Sequence, residues 1–209
     1  MAVIPDETQR RSGIRYFEDL KFASNKELGP KDYFEIAYRG IDSLRGDKSM
    51  EDQLDGKKIL VVDDEVDILE TMEELLHMCQ VETASSFEEA WNKLGTSYYD
   101  FAILDIMGVD GYRLLELANE RKIPAIMLTA HAMTPDNVVK SIKRGATYFL
   151  PKEEMANIVS HLHDIMDAME KGQNTWKHWL DRLGVFFDGR FGPDWKADDK
   201  EFWVKYLYY

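Results

Sequence analysis

The sequence predicts an α/β fold in which a parallel β-sheet is covered on both faces by helices. Two observations lead to this prediction. Five short strand-like segments, of which Val81–Ala84 is the weakest, alternate with segments whose apolar residues recur at helical spacing, all between residues 57 and 171. Runs such as Lys58–Val62 and Phe101–Leu104 are almost continuously apolar, as expected of strands buried on both faces. Right-handed crossovers between such strands leave few possible topologies.

The predicted elements follow one another closely along the chain. Strands are predicted at Lys58–Val62, Val81–Ala84, Phe101–Leu104, Ala125–Leu128 and Tyr148–Leu150. Helical stripes cover residues 68–76, 87–94, 112–119 and 138–142, and a longer stripe over 155–169 follows the last strand. Ser85 or Ser86 can cap the second helix, and Gly145 can end the fourth.

Composition excludes several classes of protein. The 209 residues are 44% apolar and carry a net charge of −13, which disfavours binding to polyanionic nucleic acid. Residues 57–171 hold 11 basic and 21 acidic side chains, so the acidity is concentrated in the predicted α/β block. No apolar run approaches the roughly 20 residues of a membrane span, and no secretory signal is visible at the start. Cys79 is the only cysteine, which excludes an intrachain disulfide and fits a cytoplasmic protein.

Polar side chains follow four of the predicted strands. Asp63, Asp64 and Glu65 follow the first strand, Asp105 the third, Thr129 the fourth and Lys152 the fifth. The carboxyl ends of parallel strands form the edge at which open α/β sheets bind their ligands. Crowded carboxylates repel one another unless a cation or a proton joins them, and Mg²⁺ prefers such oxygen ligands.

This set of groups is suited to phosphoryl chemistry. A bound Mg²⁺, the ammonium of Lys152 and the hydroxyl of Thr129 could stabilise transferred phosphoryl charge. Asp105, placed centrally, would be the nucleophile and would form an acyl phosphate. Each residue alone has an ordinary explanation, such as a turn, a helix cap or a solvated lysine. Their joint occurrence at successive strand ends favours the functional interpretation.

Four motifs together resemble the receiver domain of two-component response regulators over residues 57–170. They are Ile59–Glu65, Leu104–Met107 with Asp110-Gly111, Met127–Ala130, and Pro151-Lys152. The resemblance implies a flavodoxin-like, doubly wound sheet of five parallel strands in the order 2-1-3-4-5. It also implies that Asp105 accepts a phosphoryl group from a sensor histidine kinase or a phosphotransfer protein.

The resemblance further implies roles for individual residues. Asp64, Asp105 and the backbone carbonyl of Met107 would hold Mg²⁺, with Asp63 helping through water. Thr129 and Lys152 would sense the phosphoryl group. The helix over 135–144, the fifth strand and the helix over 155–169 would form the face that responds.

The sequence also departs from the family pattern. The loop after Asp105 is short and lacks proline, and Glu153 stands where a proline usually follows the lysine. Phe149 occupies the position of the switch aromatic, and Tyr148 lies one place too early. His131, two residues after Thr129, either tunes dephosphorylation or is a loop histidine with no such role.

The two flanks are expected to be mostly helical extensions. Residues 1–56 contain a predicted helix over 31–44 and a polar linker, and this extension could dock, dimerise or bind a partner. Residues 171–209 are rich in aromatic side chains. A helix is predicted over 176–183, followed by a break at Gly192-Pro193 and a last short helix capped by Asp198 or Asp199. This extension either packs on the receiver or presents a partner surface.

The expected function is that of a cytoplasmic phospho-acceptor switch rather than an enzyme. It would act through contacts with an unidentified output protein, and a homodimer is left open. One alternative is a Mg²⁺-dependent phosphatase with an aspartyl-phosphate intermediate, although Met107 stands where its second aspartate would be needed. Others are a receiver-like scaffold independent of phosphorylation and a DNA-binding transcription factor, against which the acidic charge argues.

Overall fold

Five parallel strands form a sheet in the order β2-β1-β3-β4-β5. The strands are β1 (Lys58–Val62), β2 (Gln80–Ala84), β3 (Phe101–Asp105), β4 (Ala125–Thr129) and β5 (Tyr148–Pro151). The structure, a computed structural model, describes residues 53–130 and 133–208, without the side chains of residue 198 and of residues 205–208. The predicted parallel sheet and its strand order are confirmed. The helix predicted over 31–44, most of the polar linker predicted over 42–56, and His131 lie outside the described residues. The end of that linker is described and differs from the prediction, because Leu54 is buried in the core.

Helices cover both faces of this sheet. They are α1 (Val66–Leu75), α2 (Phe87–Thr96), α3 (Gly111–Glu120), α4 (Pro135–Lys143) and α5 (Ile158–Glu170), followed by α6 (Thr175–Phe191) and α7 (Lys200–Tyr208). Two short 3-10 helices, Lys152–Asn157 and Ala197–Asp199, precede α5 and α7. In the described residues, no helix is both long enough and apolar enough to cross a membrane.

Local sequence explains where α2 and α4 begin. The Ser86 hydroxyl accepts a hydrogen bond from the Glu89 N–H, and the Glu89 carboxylate accepts one from the Ser85 N–H. This reciprocal arrangement satisfies backbone donors that a helix start leaves unpaired. The Thr134 hydroxyl caps α4 by accepting a hydrogen bond from the Asn137 N–H, and Pro135 occupies the first turn, where its missing N–H costs nothing.

The core lies between the central strands and the helices on both faces. All five residues of β3 and all five of β4 are buried, which matches their continuous apolar sequence. β2, at one edge of the sheet, is mostly half-buried and correspondingly less apolar. Leu54, just before β1, is fully buried in the same core.

Two helices differ from the prediction. The stripe over 155–169 does not form one helix, because the chain first makes the 3-10 helix Lys152–Asn157 and α5 begins only at Ile158. The aromatic stripe over 176–183 belongs to a longer helix that continues to Phe191. It ends at Gly192, whose positive φ of 84° suits glycine.

Candidate functional site

The carboxyl ends of the strands surround a cavity of about 320 Å³. Its lining consists of Asp64, Glu65, Asp105, Met107, Gly108, Thr129 and Lys152. The parallel register brings these groups together, since Asp105 lies opposite Leu128 and Thr129 lies opposite Pro151. The polar residues that the sequence places at four strand ends are therefore neighbours in the structure.

The Lys152 ammonium is the electrostatic centre of the site. Its Nζ lies 2.7 Å from Asp63 Oδ2, 2.8 Å from Glu65 Oε1 and 3.2 Å from Asp105 Oδ1. The side chain is only 10% exposed. Burial alone would lower the pKa of Lys152, but its close contacts with the Asp63 and Glu65 carboxylates and the charge of Asp105 raise it above its usual value. Lys152 therefore stays positively charged between three acidic groups.

Asp63 is held at the floor of the site. Its side chain is completely buried, and its Oδ1 accepts a hydrogen bond from the Glu65 N–H at 3.0 Å. Its Oδ2 has no hydrogen bond of good angle, so the 2.7 Å contact with Lys152 is an ion pair. Burial raises the pKa of Asp63 despite these partners, and the nearby charge of Asp105 adds to the effect. Further positive charge would stabilise its carboxylate.

Asp105 is buried and accepts hydrogen bonds from two backbone groups. Its Oδ2 accepts from the Met107 N–H at 2.8 Å and from the Gly108 N–H at 2.9 Å, while Oδ1 faces Lys152. These donors fix the orientation of the carboxylate. The short loop after β3 thus supports its own strand-end aspartate without the proline that the family usually carries.

Two glycines allow this loop to close. A Cβ atom at Gly108 would lie 1.8 Å from Asp64 Oδ1, and one at Gly111 would lie 2.0 Å from the Asp105 carbonyl oxygen. Both distances are far below van der Waals contact. Between them, Asp110 adopts a left-handed conformation with φ of 51°, which Asp tolerates better than most residues. The close approach of this loop therefore needs glycine at 111, where the clash is with backbone, while a side chain at 108 would displace the Asp64 carboxylate.

The remaining predicted residues occupy different depths. Thr129 is completely buried at the end of β4 and lines the cavity. Met107 is 66% exposed, lines the cavity and donates its backbone N–H to Asp105. The positions agree with the predicted set, whereas the roles of these residues stay predictions.

The donor atoms suit a hard divalent cation. The predicted ligands are carboxylate and carbonyl oxygens, which Mg²⁺ prefers, and Asp63 and Asp105 already share a cation in Lys152. Across residues 53–130 and 133–208, His, Cys, Asp and Glu side chains do not gather in groups of three or more at metal-binding spacing. The chemistry of the site fits Mg²⁺, although an ammonium lies between two of the predicted ligands.

Two contributors to the site had no role in the sequence prediction, which placed Glu65 at the strand ends without using it and did not single out Gly108. Glu65 is the second-nearest carboxylate to Lys152, and Gly108 both donates to Asp105 and admits Asp64. Glu65 could have been found from its place in the Asp63-Asp64-Glu65 triplet. Gly108 offered no comparable signal, because its importance comes from a contact with a residue more than 40 positions away.

Comparison with known proteins points to one family. The family described as "Response regulator receiver domain" matches residues 59–163, half of the chain. The two-component response regulator ARR12 of Arabidopsis thaliana is 36% identical over 130 residues, which cover 57% of this chain and 22% of that protein. The response regulator GtcR of Aneurinibacillus migulanus is 31% identical over 140 residues, covering 61% of this chain and 57% of that protein.

A solved structure shows the same fold. The receiver domain protein (CheY-like) of Methanospirillum hungatei JF-1 superposes with a TM-score of 0.51 and 28% identity, covering 56% of this chain and 98% of that one. The chain thus spans 98% of that solved receiver domain protein but only 22% and 57% of the two curated regulators named above.

Proposed function

The chain belongs to the response regulator receiver domain family, and on that basis we propose that it is a phospho-acceptor switch whose acceptor is Asp105. One observation supports this proposal above the others. The Asp105 carboxylate ends the central strand β3 inside the strand-end cavity, oriented by two backbone N–H groups and 3.2 Å from the Lys152 ammonium. A carboxylate so fixed beside a permanent positive charge is suited to accept a phosphoryl group.

The proposed step is a phosphoryl transfer between two nucleophiles. One oxygen of Asp105 forms a bond to phosphorus while the bond from phosphorus to an imidazole nitrogen of the donor breaks. The donor is a sensor histidine kinase or a phosphotransfer protein, and its histidine leaves as a neutral imidazole once protonated. Lys152 balances the charge that reaches Asp105, and Thr129, buried beside it, supplies a hydroxyl at the cavity wall.

Mg²⁺ belongs to the same proposal. Asp63, Asp64, Asp105 and the Met107 carbonyl would hold it, with Asp63 acting from the buried floor of the site. When bound, it would neutralise negative charge on the carboxylates and the phosphoryl oxygens. Two observations support this use of the carboxylates. The raised pKa of Asp63 means that additional positive charge would stabilise its carboxylate, and Gly108 leaves room for the Asp64 carboxylate.

The output of the switch is proposed to be protein contact in the cytoplasm rather than turnover of a substrate. Phosphorylation replaces the single negative charge of the Asp105 carboxylate with an acyl phosphate carrying up to about two, so it adds at most about one negative charge beside Lys152. The net charge of −13 disfavours a role for this chain in DNA binding. The match covers only 22% of ARR12 and 57% of GtcR, so it says nothing of the rest of those regulators. Any output module or partner of the whole protein therefore belongs to this proposal.

Intact mass spectrometry tests the function directly. The full chain is incubated with Mg²⁺ and acetyl phosphate, beside Asp105→Asn and beside Asp110→Asn as a matched control in the same loop. We expect one added phosphoryl group in the wild type and in Asp110→Asn, and none in Asp105→Asn or without Mg²⁺. Folded wild-type protein that gains no mass, or an Asp105→Asn variant that still gains it, would overturn the proposal. The first outcome would favour a scaffold independent of phosphorylation.

A further inference from the structure

The C-terminal segment Thr175–Tyr208, here called the C-terminal cover, lies along the β5 edge of the sheet. Tyr148 and Phe149 are adjacent in β5 and point to opposite faces of the sheet. Both nevertheless contact α6: Trp176 stacks on Tyr148 at a centroid distance of 6.5 Å, and Phe187 meets Phe149 edge-on at 6.2 Å. A helix that touches both faces must run beside the edge strand. β5 is accordingly buried throughout, although it ends the sheet.

The cover bonds directly to the backbone around β5. The Trp179 indole N–H donates to the Phe149 carbonyl at 2.6 Å, and the Trp176 indole N–H donates to the Ala146 carbonyl at 3.2 Å. The Thr175 hydroxyl donates to the Thr147 carbonyl at 2.9 Å. Both indoles are buried, so these bonds are shielded from water. The position of the cover is therefore tied to the position of the strand itself.

Ion pairs extend the cover to the elements on each side of β5. Arg182 of α6 pairs with Asp164 and donates to the Ser160 hydroxyl at 2.6 Å, both on α5. On the other side, Lys143 of α4 lies 3.9 Å from Asp199. The cover thus spans α4, β5 and α5, which the family resemblance implies as the responding face.

A third ion pair reaches the residue after the site lysine. Arg190 of α6 lies 4.0 Å from Glu153, which stands where the family usually has proline. The residue before Glu153 is Lys152, whose ammonium is held by Asp63, Glu65 and Asp105. Two adjacent residues therefore link the two regions: Lys152 contacts the carboxylates of the proposed phosphorylation site, and Glu153 contacts the C-terminal cover.

We propose that the C-terminal cover is the element that responds to phosphorylation: Lys152 moves towards the phosphoryl group on Asp105, the end of β5 and Glu153 follow, and the cover loosens from β5. The inference rests on the proposed function. A phosphoryl group on Asp105 would compete with Asp63 and Glu65 for the Lys152 ammonium, which already lies 3.2 Å from Asp105 Oδ1. The contacts at Phe149 and Glu153 are the ones that a shift of this strand end disturbs.

Hydrogen exchange on the full chain tests this inference. The same sample is analysed by intact mass, to measure phosphorylation, and by amide exchange. We expect exchange over residues 175–191 to quicken by about fivefold on phosphorylation, the lower end of usual coupling between sites. A sample that gains no phosphoryl group overturns the proposed function. A phosphorylated sample with unchanged or slower exchange over 175–191 overturns this inference alone.

Coupling must also act in reverse, which gives an independent test. If occupation of the site loosens the cover, loosening the cover must tighten binding at the site. Binding of beryllofluoride with Mg²⁺, a stable stand-in for the phosphoryl group, is measured for Arg190→Ala and Trp179→Phe. Arg190 is exposed, so its variant folds even if the buried Trp179 proves indispensable. Trp91→Phe, at a tryptophan 43% exposed on α2, is the matched control.

The expected result is tighter beryllofluoride binding in both cover variants and unchanged binding in Trp91→Phe. Trp179→Phe should tighten binding by up to about fivefold, the worth of one net hydrogen bond. Weaker or unchanged binding in both cover variants would contradict the proposed coupling. Equal tightening in the Trp91→Phe control would do the same.

Discussion

His161, on α5, should make the stability of this protein depend on pH. The side chain is 1% exposed, and its Nδ1 lies 3.0 Å from the Tyr148 hydroxyl. Its Nε2 has no hydrogen-bond partner among the described residues. Burial, aided by the charge of Arg182, lowers the pKa of His161 to about 3, and the charge of Asp164 only partly opposes the shift. The folded protein therefore keeps this imidazole neutral at pH values where an unfolded chain protonates it.

The size of the effect follows from the two pKa values. Above the ordinary value of 6.5 both states are neutral and His161 contributes no pH dependence. Between 6.5 and about 3 the unfolded chain binds a proton that the folded protein does not, so the free energy of unfolding falls as pH falls. From pH 7 to pH 5 this loss amounts to about 2 kcal/mol for the one histidine.

Urea denaturation at the two pH values measures this loss. We expect His161→Gln, which cannot titrate, to lose about 2 kcal/mol less than the wild type between pH 7 and pH 5, whatever its stability at pH 7. His77→Gln, at an exposed histidine, is the control and should keep the wild-type pH dependence. The reasoning is refuted if His161→Gln and the wild type lose stability in parallel.

Three glycine substitutions make further predictions. Gly108→Ala should displace the Asp64 carboxylate and weaken Mg²⁺ binding several-fold in a calorimetric titration, with little effect on folding; undiminished affinity would contradict the role of Asp64. Gly111→Ala should destabilise the protein by about 1–3 kcal/mol in thermal or urea unfolding, because its Cβ would meet the Asp105 backbone, which cannot rotate away. Gly95→Ala, on α2 with open space around it, should stabilise the protein by up to about 1 kcal/mol, and a loss of stability there would count against the helix geometry.

The sheet and the strand-end residues could be predicted because both depend on local sequence. Continuous apolar runs such as Phe101–Leu104 are strands because each of their faces is buried under a helix. Once the strands are parallel, the polar residue after each one lies at the same edge of the sheet. The joint placement of Asp105, Thr129 and Lys152 therefore required no knowledge of the tertiary structure.

Other features depend on which distant residues meet, and the sequence carries no direct signal for that. Glu65 follows the aspartate pair in sequence, but its ion pair with Lys152 joins residues 87 positions apart. The aromatic stripe beginning at Trp176 predicted a helix with one buried face. It did not predict that this face packs against β5. Likewise, the apolar periodicity over 155–169 predicted one helix. It gave no sign of the 3-10 helix Lys152–Asn157, in which the chain turns from β5 into α5.

The position of α6 also limits how copies of this chain could associate. Sheets that pair head to tail join the last edge strand of one copy to the first edge strand of the next, and such contacts repeat without closing. Because α6 occupies the side of β5, this protein cannot offer both of its sheet edges to its neighbours. Edge-to-edge pairing through β2 would relate two copies by a two-fold axis and stop there. The aromatic C-terminal segment therefore excludes filaments in which β5 of one copy would pair with β2 of the next.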